Sequence, residues 1–407
     1  MTVRAPLLPW ALFAALIAAA GLPIYIHAPK VYVDDHGVSL ASLGAVLFAL
    51  RLIDVVQDPA LGWLAEATRA RRGAMVAGAV ALMAGAMLAL FTPVPPIAPL
   101  AWFALTLIVL FSAFSFLTIT FYAEGVAKAA TLGPGGHMRL AGWREGGALL
   151  GVSLAAVAPV ALAAATDRPF AAFALGFAGV ALVAAVAMRR EWRGAAAPTF
   201  GFGVVLRDPV ARRLLFLALV NAAPVAVTST LFLFYVESRL VAPGLEGPLL
   251  LLFFLSAAAS APLWGRAATR FGAKAVLMAG MVLAVAAFAF TATLGAGDVV
   301  PFALICAASG AALGADMTLL PAIFARHLAR QGAPPAAAFG LWSFASKLAL
   351  AFAAVAALPL LQARGFTPGA ANPESALATL TMLYALLPCA LKLLAIALLA
   401  RTPVPET

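Results

Sequence analysis

Apolar residues recur along this sequence in long stretches that short polar or charged breaks separate. Each stretch has roughly 20 residues, the length that an α-helix needs to cross a bilayer. A β-barrel would show short alternating segments instead of runs such as Leu100 to Phe121. We therefore predict an all-α membrane protein with about twelve transmembrane helices. They lie near residues 7–28, 40–65, 74–93, 98–127, 141–164, 169–188, 214–237, 248–268, 274–294, 301–325, 337–360 and 379–400.

The basic residues predict the orientation of these helices. An even number of spans places both termini on one side, and eighteen Lys and Arg residues fall on that side against four on the other. Because cytoplasmic loops carry the excess of Lys and Arg, both termini are predicted to be cytoplasmic in a multi-pass protein of the cell inner membrane. The net charge of +10 thus reflects topology and not nucleic-acid binding.

The sequence also divides into two similar parts. The longest cytoplasmic connection separates six spans from six, which gives an N-terminal half 1–190, a linker 191–213 and a C-terminal half 214–407. Pro59 and Gly62 recur as Pro262 and Gly265, at an offset of 262 − 59 = 203 residues. A parallel duplication of this kind is an organisation of secondary transporters.

Two acids interrupt the second apolar stretch. Asp54 and Asp58 are four residues apart, so a helix stacks both carboxylates on one face, with Arg51 close to the same stripe. Charged groups at this depth are costly, and two acids exceed what Arg51 alone neutralises. Pro59 frees a backbone carbonyl one turn earlier, which offers another oxygen ligand. The pattern favours a cation or proton site; the alternative is an ion pair at the helix end with Arg51 or with the arginines of the following loop.

The run from Arg51 through Asp54, Asp58-Pro59 and Gly62-Trp63, followed by an arginine-rich loop, resembles the second helix of the glycoside-pentoside-hexuronide:cation symporters. These melibiose-permease-like proteins are a branch of the major facilitator superfamily. Two further segments fit the resemblance, one from Tyr122 to Gly151 and one from Phe339 to Lys347. The resemblance implies the twelve-helix major facilitator fold with two six-helix halves, and a monomeric transporter, not an enzyme.

The resemblance also implies roles for particular residues. Expected cation ligands are Asp54, Asp58 and Gln57, with Ser115 and Thr118 as further oxygen donors if the ion is Na⁺ and not H⁺. Expected substrate contacts are Tyr122, Arg144, Trp342 and Lys347, to which we add Tyr25 near the external end of the first span. Expected gating residues, in and before the loop that follows the second span, are Arg51, Gly62, Arg69 and Arg72.

The substrate class stays open at this stage. The first span carries no acid, and the fourth has Ser115 and Thr118 where the sugar site of the family has an acid of its own. A cation-coupled transporter of a small sugar-like or anionic solute is the first hypothesis. The alternatives are a transporter or exporter of an amphiphile, such as a lysolipid or a drug-like compound, and a non-transporting membrane assembly protein.

The remaining charged residues suggest pairings. Arg144 and Glu145 are adjacent on a helix, so we expect them to face different directions and not to pair. Glu124, near the cytoplasmic end of the fourth span, either has a functional role or pairs with Lys128 one turn later. Lys347 either faces the transport cavity or holds an acid such as Asp316.

Lys392 in the last span either reaches the cytoplasmic boundary or has a structural role. The two cysteines, Cys306 and Cys389, lie within apolar stretches and indicate neither a disulfide framework nor a metal site. Nucleotide-binding loops and nucleophile motifs are missing from the sequence. We therefore expect no cofactor beyond the coupling ion, and as partners only a small-molecule substrate, that ion and the lipid bilayer.

Overall fold

The computed structural model describes residues 7–21, 28–29, 31–33, 35–192, 202–367 and 372–404, without the side chains of residues 40, 41, 51, 55, 160, 354 and 355. The proposed external residue Tyr25 and the side chain of Arg51 lie outside the described part of the chain.

The described residues form helices joined by short connections. In chain order they are α1 (Leu8–Ala19), α2 (Leu40–Ala67), α3 (Arg69–Leu90), α4 (Pro99–Thr131), α5 (Gly136–Leu162), α6 (Pro169–Met188), α7 (Pro209–Arg239), α8 (Glu246–Phe271), α9 (Ala273–Thr293), α10 (Val299–Gln331), α11 (Pro335–Ala363) and α12 (Glu374–Arg401). A short helix, Phe202–Arg207, precedes α7. In the described part of the chain, each predicted apolar stretch overlaps one of these helices, which confirms the all-α prediction. Among the described residues, nine helices, all but α1, α2 and α5, are long and apolar enough to cross a membrane.

The chain packs as two compact units. The first comprises Met1–Val205 together with Ala325–Phe344, and the second comprises Leu206–Phe324 together with Ala345–Thr407. The end of α10 and the beginning of α11 therefore belong to the first unit, and the rest of both helices belongs to the second.

Local sequence signals explain where several helices begin. The Ser39 hydroxyl accepts a hydrogen bond from the Ser42 amide at 3.2 Å and caps α2. Asp208 caps α7 by accepting from the amides of Val210 and Ala211. Proline in the first turn starts α4, α6 and α7, where the missing amide proton costs nothing.

Small residues allow α1 and α5 to pack closely in the first unit. Gly147 and Gly151 lie one turn apart on α5, and a Cβ atom at either position would collide with the backbone of Ala11 or Ala15 on α1. Such small-residue faces bring helix backbones together where lipid supplies no hydrophobic drive for association.

Aromatic rings form the centre of the second unit. Tyr235 at the end of α7 stacks on Tyr384 of α12 with ring centroids 4.3 Å apart, and Phe302 of α10 packs beside both rings. The buried Tyr235 hydroxyl donates to the Thr291 carbonyl at 2.7 Å, which satisfies its polar atom.

Candidate functional site

Two buried acids of α2 lie in the first unit, and one of them, Asp54, begins a partly buried hydrogen-bonded chain. Asp54 is 6% exposed and Asp58 is fully buried. The Gln57 Nε2 donates to Asp54 Oδ1 at 2.7 Å, and Ser112 Oγ of α4 donates to Gln57 Oε1 at 2.9 Å. The amide thus links α2 to α4 and orients the Asp54 carboxylate.

The predicted oxygen donors of α4 differ in their surroundings. Ser115 is buried, whereas the Thr118 hydroxyl donates to the Phe114 carbonyl of its own helix at 2.8 Å. Ser112, the residue that contacts Gln57, was not predicted from the sequence. Its position one turn before Ser115 on α4 was the only available signal.

A second cluster joins Tyr122 of α4 to Arg144 and Glu145 of α5. Arg144 Nε and the Tyr122 hydroxyl both donate to Glu145 Oε1, at 2.8 and 2.7 Å, and the Arg144 guanidinium lies 3.6 Å from the centre of the Tyr122 ring. The expectation that Arg144 and Glu145 do not pair was wrong. Both side chains are nearly fully buried, so pairing is strongly favoured, and the long arginine side chain bends back to reach its neighbour.

The start of α11 packs against this cluster. The Phe339 ring lies 5.2 Å from the Tyr122 ring, and the Trp342 ring lies 6.4 Å from Phe339. The structure therefore brings Tyr122 and Arg144 together, with Trp342 one aromatic ring further away. Lys347, the fourth predicted substrate contact, belongs to the second unit.

Gly62 of α2 and Gly340 of α11 form a close backbone contact within the first unit. A Cβ atom at Gly62 would lie 2.8 Å from the Ala336 carbonyl oxygen and 3.2 Å from the Gly340 Cα. A Cβ atom at Gly340 would lie 2.9 Å from the carbonyl oxygen of Asp58. Side chains larger than hydrogen do not fit at either position without movement of the helices.

Ion pairs hold the end of α2 and the start of α3. Arg72 Nη1 lies 2.5 Å from Glu124 Oε2 of α4, and both side chains are buried. Arg69 pairs with Glu66 at 3.2 Å. The expected Glu124–Lys128 pair was wrong, because Arg72 reaches Glu124 from another helix and Lys128 pairs with Glu191 at 2.6 Å.

A third buried polar cluster lies in the second unit. Lys392 Nζ of α12 donates to Asp316 Oδ2 of α10 at 2.5 Å and to Asn221 Oδ1 of α7 at 2.8 Å. All three side chains are at most 7% exposed. Lys392 therefore has a buried partner instead of reaching the membrane boundary, and Asp316 is held by Lys392. Asn221 carried no charge and was not singled out from the sequence.

Charged side chains inside apolar membrane helices mark functional sites, among them the substrate and ion pathways of transporters. Residues 10–406 match the family described as MFS/sugar transport protein, and the chain belongs to this family of major facilitator transporters. This match confirms the resemblance that the α2 motif indicated. The protein is thus a multi-pass membrane transporter and not an enzyme.

Solved structures of other transporters share the fold. A bacterial homologue of the iron transporter ferroportin, in an outward-facing state, aligns with a TM-score of 0.74 at 13% identity over 98% of this chain and 99% of that chain. The human organic anion transporter MFSD10 gives 0.66 at 17% identity over 97% and 98%. The fucose:proton symporter of E. coli gives 0.63 at 14% identity over 95% and 98%. A search of curated protein sequences gives no significant match.

Proposed function

We propose that this protein is a cation-coupled secondary transporter, which moves a small hydroxyl-bearing solute across the cell inner membrane by alternating access. It acts as a monomer with both termini in the cytoplasm. The coupling ion is H⁺ or Na⁺, carried by Asp54 and Asp58. The observation that carries the proposal is the hydrogen-bonded chain from the buried Asp54 through the half-buried Gln57 to Ser112.

The chemistry of this chain supports an ion site. A buried carboxylate within an apolar helix is retained at a cost of several kcal/mol, which argues for a functional role. Carboxylate, amide and hydroxyl oxygens are the hard ligands that small cations prefer. Gln57 fixes one carboxylate oxygen of Asp54 in place on the α2–α4 face. Ser115 on α4 supplies a further oxygen.

The Tyr122–Arg144–Glu145 cluster supports a neutral, sugar-like solute over an anion. Glu145 compensates the positive charge of Arg144, so the pair as a whole offers hydrogen-bond donors and acceptors without net charge. Hydroxyl groups match such a mixed surface. The Phe339 ring beside Tyr122 adds an apolar face for the solute.

The Gly62–Gly340 contact supports gating at the end of α2. A Cβ atom fits at neither glycine, so the backbones of α2 and α11 are in direct contact here. We propose that the two helices separate at this contact when the transporter changes state. The Arg72–Glu124 and Arg69–Glu66 ion pairs stabilise the adjoining α2–α3 connection while α2 and α11 are in contact.

Thermal unfolding of the purified protein across pH, in Na⁺, Li⁺ or choline chloride, tests the coupling role. An ion at 100 times its Kd stabilises the folded state by about 2.7 kcal/mol, so the melting temperature rises. We expect Asp54→Asn and Asp58→Asn to remove this rise. Asp167→Asn is the matched control, because Asp167 is exposed in a connection between helices.

The outcomes separate the two ions. A rise with Na⁺ that both substitutions abolish identifies Na⁺ as the coupling ion. A pH-dependent rise that they abolish, without any effect of Na⁺, identifies H⁺. If the responses of both variants match those of Asp167→Asn, the acids are structural and the cation-coupled proposal is rejected.

A further inference from the structure

The chain makes a well-defined turn directly after α11. Gly365 has a φ of +82°, a conformation that glycine adopts without strain. Its amide donates to the Gln362 carbonyl at 2.9 Å, and the Phe366 amide donates to the Leu361 carbonyl at 3.3 Å. This pair of hydrogen bonds is the Schellman motif, which ends a helix and fixes the direction of the chain that follows.

Contacts with α7 and with Asn372 hold this turn in place. The Phe366 ring packs edge-on against the Phe234 ring of α7, with centroids 5.6 Å apart. Asn372 Oδ1 accepts from the Thr367 amide at 2.7 Å, and Asn372 Nδ2 donates to the Thr367 carbonyl at 3.0 Å. The turn is thus held without a ligand, so a ligand beside it does not have to order it.

A cavity of about 390 Å³ lies between this turn, the last turns of α11 and α7, within the second unit. Its volume falls within the range of roughly 300–1,000 Å³ that is typical of small-molecule sites. Phe234, Leu358 and Phe366 supply apolar walls, and Gln362 and Thr367 supply polar side chains. The described part of the lining contains no charged side chain.

Gln362 and Thr367 have polar groups that a ligand can reach. Both residues are exposed, and neither the Gln362 amide nor the Thr367 hydroxyl forms a hydrogen bond in the described part of the chain. The backbone amides of Gly365, Phe366 and Thr367 are bonded within the turn or to Asn372. The two side chains therefore supply the free hydrogen-bond donors of the lining, and each offers an acceptor as well.

We propose that this cavity is a binding site for a small uncharged solute with adjacent hydroxyl groups, such as a pyranose. One hydroxyl donates to Gln362 Oε1 and its neighbour accepts from Gln362 Nε2, because the oxygen and nitrogen of an amide lie side by side. Thr367 bonds a further hydroxyl, and the C–H face of the ring lies against Phe234. A charged solute would find no opposite charge in the lining to offset its desolvation. The site is separate from the ion and solute residues proposed in the first unit.

Paramagnetic broadening of ligand NMR signals by the purified full-length protein tests this site through a local reporter. A nitroxide label is attached at Arg364→Cys, an exposed position beside the cavity. The reference label is attached at Arg213→Cys, which is exposed about 30 Å from Phe234 along α7. The native Cys306 and Cys389 are buried and therefore protected from the labelling reagent.

Two probes that share a six-membered ring are compared. Methyl β-D-galactopyranoside has adjacent ring hydroxyls, whereas tetrahydropyran-2-methanol has a single hydroxyl. We expect the Arg364→Cys label alone to broaden the galactoside signals, and the galactoside to bind about tenfold more tightly, since it forms additional hydrogen bonds. Equal broadening by both labels, equal affinity of both probes, or no broadening of the galactoside would overturn the proposal.

Gln362→Leu, made in the Arg364→Cys protein, tests the amide contact directly. It should weaken galactoside binding about tenfold and leave the fold intact, because Gln362 is exposed. Gln331→Leu is the matched control, since Gln331 is exposed at the end of α10 and outside the lining. If the two variants bind the galactoside equally, the cavity is not the site. This result is independent of ion coupling, because it is read from the cavity whether or not Asp54 and Asp58 bind an ion.

Discussion

The Arg144–Glu145 and Asp316–Lys392 pairs are similar in charge and burial but differ in how completely their polar atoms are satisfied. In the first, Glu145 Oε1 accepts two hydrogen bonds, and the Tyr122 ring covers the guanidinium. In the second, Asp316 Oδ1 has no hydrogen-bond partner in the described part of the chain, and the pair borders a cavity. The difference teaches that neighbouring side chains can satisfy the carboxylate of one buried acid–base pair and leave an oxygen of another without a partner.

Removal of the basic partner should have the largest effect. Arg144→Met leaves Glu145 buried without its cation and should cost about 3–5 kcal/mol of unfolding free energy. Lys392→Met should cost less, about 2–3 kcal/mol, because water in the cavity can hydrate Asp316. Unfolding in a denaturing detergent series measures both values.

The neutral double variants Arg144→Met/Glu145→Gln and Lys392→Met/Asp316→Asn are the controls. Each should recover much of the stability, because it leaves no buried charge. If Lys392→Met costs as much as Arg144→Met, the missing hydrogen bond at Asp316 Oδ1 has no effect on stability, and the contrast between the two pairs fails.

Loss of a hydroxyl should have the next largest effect. Tyr122→Phe removes a donor to the charged Glu145 and should cost about 1.5–3 kcal/mol, whereas Tyr235→Phe removes a donor to the neutral Thr291 carbonyl and should cost about 0.5–1.5 kcal/mol. The same unfolding series compares them. Equal losses would mean that the Tyr122 hydrogen bond gains nothing from the Arg144–Glu145 pair.

Added side-chain volume should distinguish the two clusters more weakly. A Cβ atom at Gly125 would already lie 3.5 Å from Arg144 Nη1, so Gly125→Leu overpacks this cluster and should cost about 1–3 kcal/mol. Ala284→Leu enters the cavity beside Asp316 and should leave the melting temperature unchanged or raise it. A similar loss of stability in both variants would show that the cavity beside Asp316 has no room for the added leucine side chain.

The sequence by itself determined the helices, their order and the most costly acids. Long apolar stretches are a local property, because each transmembrane helix satisfies its backbone hydrogen bonds within its own segment. Asp54 and Asp58 were also recognisable from the sequence, because a charged side chain within an apolar stretch is costly whatever it contacts. The family resemblance followed from residues that lie close together on α2.

Only the tertiary structure decided which charged residues meet. Glu124 pairs with Arg72 from 52 positions away, and Lys392 reaches Asp316 across 76 positions and Asn221 across 171. Helices that are apolar on all sides carry no sequence signal for their rotation, so packing selects the partners. The cavity beside Asp316 likewise exists only because five helices converge there, each with an apolar face that no local pattern distinguishes from its lipid-facing side.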